Sequence, residues 1–252
     1  MQALISAIVI FHNEGLLAHK TLLGLERVRT YAEANGISVE LVAVLDNADT
    51  ETDRVVKSST VFREIDQLLA VSHGDPGASR NSGVITARGS YIGIFDGDDY
   101  YSKNWLCKAL AVVEKKNGQV VVHPEYNISF GMQCNVSDVW DMDDDKNYSL
   151  SNCFSVNPWV YGSFGKKEIY LSNPYYSTNS IRNGLGYEDW HWNLELVSQG
   201  IRHVTAKDTA LFYRRKNVSR LTNDVATGVI IPPSNFFNLT TKWLSGFNGL
   251  MD

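Results

Sequence analysis

The sequence predicts an α/β protein built on a mostly parallel central sheet with helices on both faces. Three observations carry this. Continuous apolar runs, ALISAIVIF from Ala3, VELVAVLD from Val39 and SYIGIFD from Ser90, have strand length and no polar side, as strands buried on both faces do. Segments with helical spacing separate them, with cap and stop residues at the joints. Alternation of strand and helix is the pattern of a parallel sheet.

Taken in order, the first strand is followed by Asn13, placed to cap a helix running to about Asn35. Leu16, Leu17, Leu22, Leu23 and Leu25 give its apolar face and Gly36 its stop. VELVAVLD is the second buried strand and ends in Asp46. TETDRVVKSS is a weaker helix and QLLAVSH a short third strand. In GDPGASRNSGVITARG, Asp75 caps a helix, Pro76 takes its first position and Gly89 follows its end. SYIGIFD is a fourth strand ending in aspartate. Ser102 caps the helix in KNWLCKALAVVEKKNG, which Gly118 stops. Residues 123–180 are rich in Asn, Ser, Tyr and Trp and read as irregular, with DMDDDKN a solvated acidic loop. YEDWHWNLELVSQG is a helix with Gly200 behind it, and RHVTAK and ALFYRR are two strands. Past about Asn223, Pro232-Pro233 is a break and NFFNLTTKWLSGF a short amphipathic helix.

Composition excludes several classes. With 252 residues, 44% hydrophobic and 20% charged, the chain suits one sizeable globular domain, or one domain plus an extension. A net charge of −5 gives no bulk attraction to nucleic acid. Cys107, Cys134 and Cys153 are odd in number and lack CxxC spacing, which argues against zinc and against a disulfide framework and fits a reducing compartment. No apolar run approaches the ~20 residues of a membrane span. MQALISAIVIFHNE has no basic flank or small-residue cleavage site, so it reads as a strand rather than a signal peptide. The expectation is a cytoplasmic protein whose membrane contact, if any, is peripheral. Phe236, Phe237, Trp243 and Phe247 in the tail would supply it, unless they pack on the domain.

The chemistry gathers at strand ends, where open parallel sheets bind ligands. In YIGIFDGDDYYSKNW, Asp96, Asp98 and Asp99 stand directly behind an apolar strand, and Asp46 ends another. Three carboxylates in four residues suit a hard divalent cation, Mg²⁺ or Mn²⁺, whose shell water and phosphate complete. D-x-D-D thus suggests a metal–diphosphate site; a solvated loop with a capping role is the plain alternative.

AIVIFHNE, VLDNADTETD, GASRNSGVITARGSYIGIFDGDD and GYEDWHWNLELVSQG, in this order, resemble the family 2 glycosyltransferases, inverting enzymes of the GT-A nucleotide-sugar-binding fold. The resemblance spans roughly residues 4 to 220. The RN-x-G…A-x-G-x-Y-I-x-x-x-D-x-D-D block is its most specific part, and the Glu-Asp pair before an aromatic-rich helix comes second. It implies a GT-A domain over 1–222, with a nucleotide-sugar-binding half (1–118) and an acceptor-binding catalytic half (119–222), and an extension over 223–252.

The resemblance also implies roles. Ile10 to Glu14, with His12, Asn13 and Glu14, lie at the nucleotide pocket, and Asp46 and Asn47 approach the base. Asn47, Ala48 and Asp49 stand where such families usually show a second aspartate and Gly-Ser. Arg80 reaches the diphosphate and Asp98 the ribose. Asp99 binds the metal with Asp98 beside it and Asp96 nearby. Asp189 of the Glu188–Asp189 pair is the general base. Arg214 and Arg215 would clamp the diphosphate from a loop after the last strand. Trp159, Tyr161, Trp190 and Trp192 are candidates for stacking on sugar rings, or core residues.

On their own, His12, His73 and His123 read as structural and His191 as packed among Trp190 and Trp192. The implied activity is metal-dependent inverting transfer, with Mn²⁺ or Mg²⁺, from a UDP-, dTDP- or GDP-sugar to a hydroxyl of a glycan or glycolipid in cell-surface polysaccharide synthesis. Competing readings are a nucleotidyltransferase acting on sugar phosphates and an inactive carbohydrate-binding domain of the same fold. FHNEGLLAHK lacks the Gly-rich basic loop of the first, and intact Arg80, Asp99 and Asp189 speak against the second.

Overall fold

The computed structural model describes residues 5–144, 150–159, 162–178, 183–216 and 228–238. The expected first half is present: β1 (Ile5–Phe11), α1 (Leu17–Ala34), β2 (Val39–Asp46), α2 (Thr50–Lys57), β3 (Gln67–Val71), α3 (Pro76–Thr86) and β4 (Tyr91–Asp96). There follow β5 (Tyr100–Tyr101), α4 (Trp105–Lys115), β6 (Val120–Gly131), β7 (Asn135–Asp138), a 3₁₀ turn (Leu150–Phe154), β8 (Phe164–Lys166), α5 (Lys167–Ser172), α6 (Glu188–Ser198) and β9 (Arg202–Arg215). One sheet runs β3-β2-β1-β4-β8-β6-β9-β5, with β7 on β6. The pairs β2–β3, β1–β2, β1–β4 and β6–β9 are parallel, while β5, β7 and β8 run antiparallel to their neighbours.

Both faces are covered, which is why β1 and β2 contain almost no exposed residue. On one face Val9, Phe11, Leu41 and Phe95 pack with Leu22, Leu25 and Val28 of α1 and with Trp105 and Leu106 of α4. On the other, Ile8, Val42 and Ile94 pack with Val84, Tyr170, Trp192 and Leu196 from α3, α5 and α6. Each fully buried aliphatic or aromatic side chain here contributes ~1.5–3 kcal/mol of transfer free energy. Asp75 caps α3 through the Ala78 N–H at 2.7 Å, with Pro76 in the first turn.

Several local expectations are corrected. Asn13 does not cap α1; the chain turns through Gly15 at φ +53°, and the helix starts at Leu17 with no side-chain cap. Ser102 does not cap α4 by its side chain, because its hydroxyl accepts the Ala210 N–H at 3.1 Å. The irregular stretch from 123 holds most of β6, all of β7 and β8, and α5. RHVTAK and ALFYRR form one strand, β9, whose pairing slips past Pro124 and which turns at Asp208, φ +61°. Asp141 is buried rather than solvated, accepting the Thr205 N–H and hydroxyl at 2.9 and 2.8 Å. Asp143 pairs with Lys116 and Arg202.

Residues 228–238 lie against α6. Phe236 is 1% exposed and packs with Phe154 and Phe237, so it is a core residue and not a membrane contact. Trp243 and Phe247 lie outside the described residues, as does Tyr161. Among the described residues, no helix is long and apolar enough to cross a membrane.

Candidate active site

Parallel strands β1, β2 and β4 end at the same edge of the sheet, so the segments that follow them meet there. The D-G-D-D turn after β4 folds back against the end of β1. A Cβ at Gly97 would stand 2.5 Å from the Ile10 carbonyl oxygen and 3.2 Å from Glu14 Cδ, so only glycine allows this approach. Glu14 is half-buried and takes the His12 N–H at 2.5 Å. Burial raises its carboxyl above the ordinary range; the His12 bond opposes this and Asp98 reinforces it. The His12 ring meets the Asp46 carbonyl at 2.7 Å.

The Asp46 side chain does not cap α2, which Asp49 does through the Thr52 N–H at 2.7 Å. Its two oxygens instead accept the N–H groups of His73, Gly74 and Asp75 at 2.8, 2.9 and 3.1 Å and the Ser79 hydroxyl at 2.8 Å. Asp46 thereby fixes the loop entering α3, while Asn47, exposed at φ +47°, presents its amide beside it.

Arg80 on α3 is the hub. Its guanidinium donates to Glu188 Oε1 at 2.7 Å and to Asp96 Oδ1 at 3.3 Å, and it lies 5.3 Å from the Tyr175 ring centroid. One largely covered cation thus joins two motifs 92 positions apart in sequence (Asp96 and Glu188). Burial opposes its charge, but Glu188 and Asp96 outweigh that and hold its proton more tightly than usual. Arg80 in this arrangement faces the protein's own carboxylates.

Asp99 is 2% exposed. Its Oδ1 accepts the Arg214 N–H at 2.8 Å, whereas its buried Oδ2 meets no hydrogen-bond donor among the described residues. Burial, then Asp98 and Asp96, push this carboxyl well above the carboxylate range. Asp98 pairs with Lys216 Nζ at 2.5 Å. Arg214 is laid against the turn: its Nε donates to the Asp98 carbonyl at 3.2 Å, a terminal nitrogen donates to the Tyr100 hydroxyl at 2.7 Å, and its guanidinium lies 4.6 Å from the Phe130 centroid. A buried carboxyl oxygen without a donor, crowded by Asp98 and Asp96, is a place short of positive charge, and a divalent cation that displaces the proton fits that shortage. Among the described residues no three His, Cys, Asp or Glu side chains converge on one point. The protein would therefore give Mg²⁺ or Mn²⁺ one or two ligands, Asp99 and Asp98, as such sites usually do.

Asp189 stands half-buried in the first turn of α6, beside Glu188 and in the same small cavity as Arg80, Asp96, His123 and Tyr175. Burial first, then Glu188, push its carboxyl up to about 7, against the pull of Arg80. A carboxyl at that value accepts a proton well near neutral pH.

Glycosyl transferase family 2 matches over residues 6–151, which spans β1 through the acidic turn and into the second half. The chain belongs to this family. The glycosyltransferase GlyG of Streptococcus pneumoniae serotype 4 is 29% identical over 131 residues, covering 50% of this family 2 chain and 40% of GlyG. The crystal structure of S. aureus TarS 1–349 in complex with UDP-GlcNAc superposes with a TM-score of 0.67 at 17% identity, over 87% of this chain and 60% of that one. A longer S. aureus TarS structure gives 0.63 at 18%, over 84% of this chain and 37% of that one. The TarS likeness establishes the GT-A-type fold, and the chain spans 37% to 60% of the length of these relatives.

The aromatic candidates of this family 2 domain divide. Trp192 is buried between Tyr170 and Tyr175, with its N–H on the Asn173 carbonyl, and Trp159 is buried against His203, with its N–H on the Trp140 carbonyl. Both are core rather than sugar platforms. Trp190 is partly buried and donates to the Cys153 carbonyl at 3.0 Å. His191 meets the Pro233 carbonyl at 3.0 Å and packs by Tyr176. Arg215 lies over the Tyr213 ring, 4.8 Å from its centroid. Two site residues escape sequence reading. Lys216 was visible only as the end of a basic run, and Asn157, which donates to Asp189 Oδ2 at 3.1 Å, carries no motif signal.

Proposed function

We propose that this protein transfers a sugar, with inversion, from a nucleotide-sugar to a hydroxyl of a glycan or glycolipid acceptor in cell-surface polysaccharide synthesis, and that it needs a divalent metal. The observation that carries the reading is the Arg80 hub, which holds the D-x-D-D turn and the Glu188–Asp189 pair in one cluster. A donor's diphosphate is recognised by positive charge, and a proton acceptor is needed one sugar away from it. The cluster brings both kinds of group together on the strand-end edge. The UDP-GlcNAc bound by the TarS fold-mate makes UDP-sugars the first donors to try, with dTDP- and GDP-sugars behind them.

Asp99 and Asp98 would hold Mn²⁺ or Mg²⁺, which when bound supplies positive charge for the departing nucleoside diphosphate. Arg214 braces Asp99 through its backbone N–H and Asp98 through its guanidinium. Lys216 adds a mobile-stemmed cation able to turn from Asp98 to a phosphate. His12, Asn13, Glu14 and Asn47 border the nucleotide, and Asp46 shapes that border from behind. Arg80 keeps Glu188 and Asp96 paired. Asp189 receives the acceptor hydroxyl's proton as that oxygen attacks the anomeric carbon from the face opposite the phosphate, and a single displacement inverts the centre.

The test is a donor screen by thermal shift and nucleoside diphosphate release, with UDP-, dTDP- and GDP-sugars in Mn²⁺ or in EDTA. One nucleotide class should stabilise the protein and be turned over only with metal. No stabilisation and no release by any of the three with metal would refute the proposal.

A further inference from the structure

Asn157 precedes Trp159 in a stretch without any motif, yet both ends of its amide are engaged. Its Oδ1 accepts the Trp159 N–H at 3.3 Å and the Asn193 side-chain N–H at 2.9 Å. Its Nδ2 donates to Asp189 Oδ2 at 3.1 Å. Asn193 follows Asp189 by four residues on α6, so the two share a helix face. Asn193 also donates to the Trp159 carbonyl at 3.0 Å. Two donors on one end of the Asn157 amide require oxygen there, so its NH₂ must face the carboxylate. Asn157 is 9% exposed and Asn193 3%, and water has little access to replace either.

We propose that Asn157, clamped by Asn193, is a positioning residue for Asp189: it holds the carboxylate in one orientation and supplies the side-chain N–H that favours its ionised form. Among the described residues it is the only side chain hydrogen-bonded to Asp189; the other bond is the backbone N–H of Trp190 at 2.8 Å. The charged and titratable groups that face Asp189 are Glu188 on α6, Arg80 on α3, Asp96 at the end of β4, Tyr175 from the segment after α5 and His123 on β6. Among the described residues none of them is hydrogen-bonded to Asn157, so changing the amide removes no bond of theirs. Without the donor, burial and Glu188 are opposed only by Arg80 and the Trp190 N–H, and less of the base is ionised at neutral pH. The proposal rests on Asp189 being the base.

The test follows the Asp189 carboxyl by ¹³C NMR titration, with its signal assigned through Asp189→Asn. Asn157→Leu removes the donor without adding charge. Its titration should move up by about one pH unit, the scale of one hydrogen bond to a charged group. Asn193→Ala, which frees the amide and leaves Asn157 in place, should move it in the same direction by less, and serves if the leucine variant does not fold. Wild-type titration in Asn193→Ala and in any folded Asn157→Leu would overturn the proposal. Failure of the base assignment itself looks different: Asp189→Asn would then keep its rate of nucleoside diphosphate release while the titration shift in Asn157→Leu persists.

Discussion

Single residues at this site hold charges that the fold alone would not favour. Arg80 is buried between Glu188 and Asp96, and removing one partner of a buried ion pair leaves the others uncompensated. Arg80→Ala should therefore lower unfolding stability by ~3 kcal/mol, the lower end for a buried pair because Asp96 is a third exposed, and weaken donor binding together, measured by urea unfolding and by calorimetry. Lysine would rescue little, since a point charge cannot hold two carboxylates as a planar fork does. Asp99 differs, because its second oxygen has no partner to lose. Asp99→Asn, which keeps an acceptor for the Arg214 N–H, should leave stability in EDTA near wild type and abolish the stabilisation that Mn²⁺ with donor gives the native protein. Equal donor affinity in EDTA and in Mn²⁺ for the wild type would refute the metal site. Asp189 gives a pH dependence with a definite sign. Burial and Glu188 push its carboxyl up to about 7, and in the proposed role of base it works when ionised. Turnover should rise roughly tenfold per pH unit below about 7 and level off above it. Asp189, Arg80 and Asp99 were legible in the sequence because they sit inside spaced motifs. Asn157 was not, since a lone asparagine in a polar stretch looks like any loop residue until the chain folds it against α6.

At the scale of elements, legibility followed burial. The strands β1, β2 and β4 are buried on both faces and announce themselves as unbroken apolar runs. β6 begins as VVVH and continues as PEYNIS, with exposed and buried positions mixed, so its second half resembled loop. β9 read as two strands because Lys207, Asp208 and Thr209 look like a turn, and locally they are one, stapled when the Thr209 hydroxyl donates to the Ala206 carbonyl at 2.5 Å. Capping residues misled where a better partner existed in space, as for Ser102 and Ala210. Where local and distant demands agree, the cap held. Asp75 accepts the Ala78 N–H and also the Thr178 N–H at 2.5 Å, tying α3 to the segment after α5. Asp75→Ala should cost ~2 kcal/mol, the upper end for a cap, because two buried donors are orphaned. The turn after β4 offers a sharper check. Gly97→Ala sets a methyl against the Ile10 carbonyl, so the variant should fold yet lose metal-dependent donor stabilisation in a thermal-shift assay.

Across the whole molecule, one sheet joins β1–β4 to β6 and β9, and the Arg80 hub ties α3 and the end of β4 to α6. The central claim is that this hub presents Asp189 as the base of a glycosyl transfer. The most direct measurement compares wild type with Asp189→Asn for both donor affinity, by calorimetry with Mn²⁺, and initial rate of nucleoside diphosphate release. Asparagine keeps the side chain's shape but cannot take the proton. Donor affinity should stay near wild type while the rate falls by roughly 10²-fold or more, the scale of a lost general base. A rate near wild type in the asparagine variant would contradict the claim.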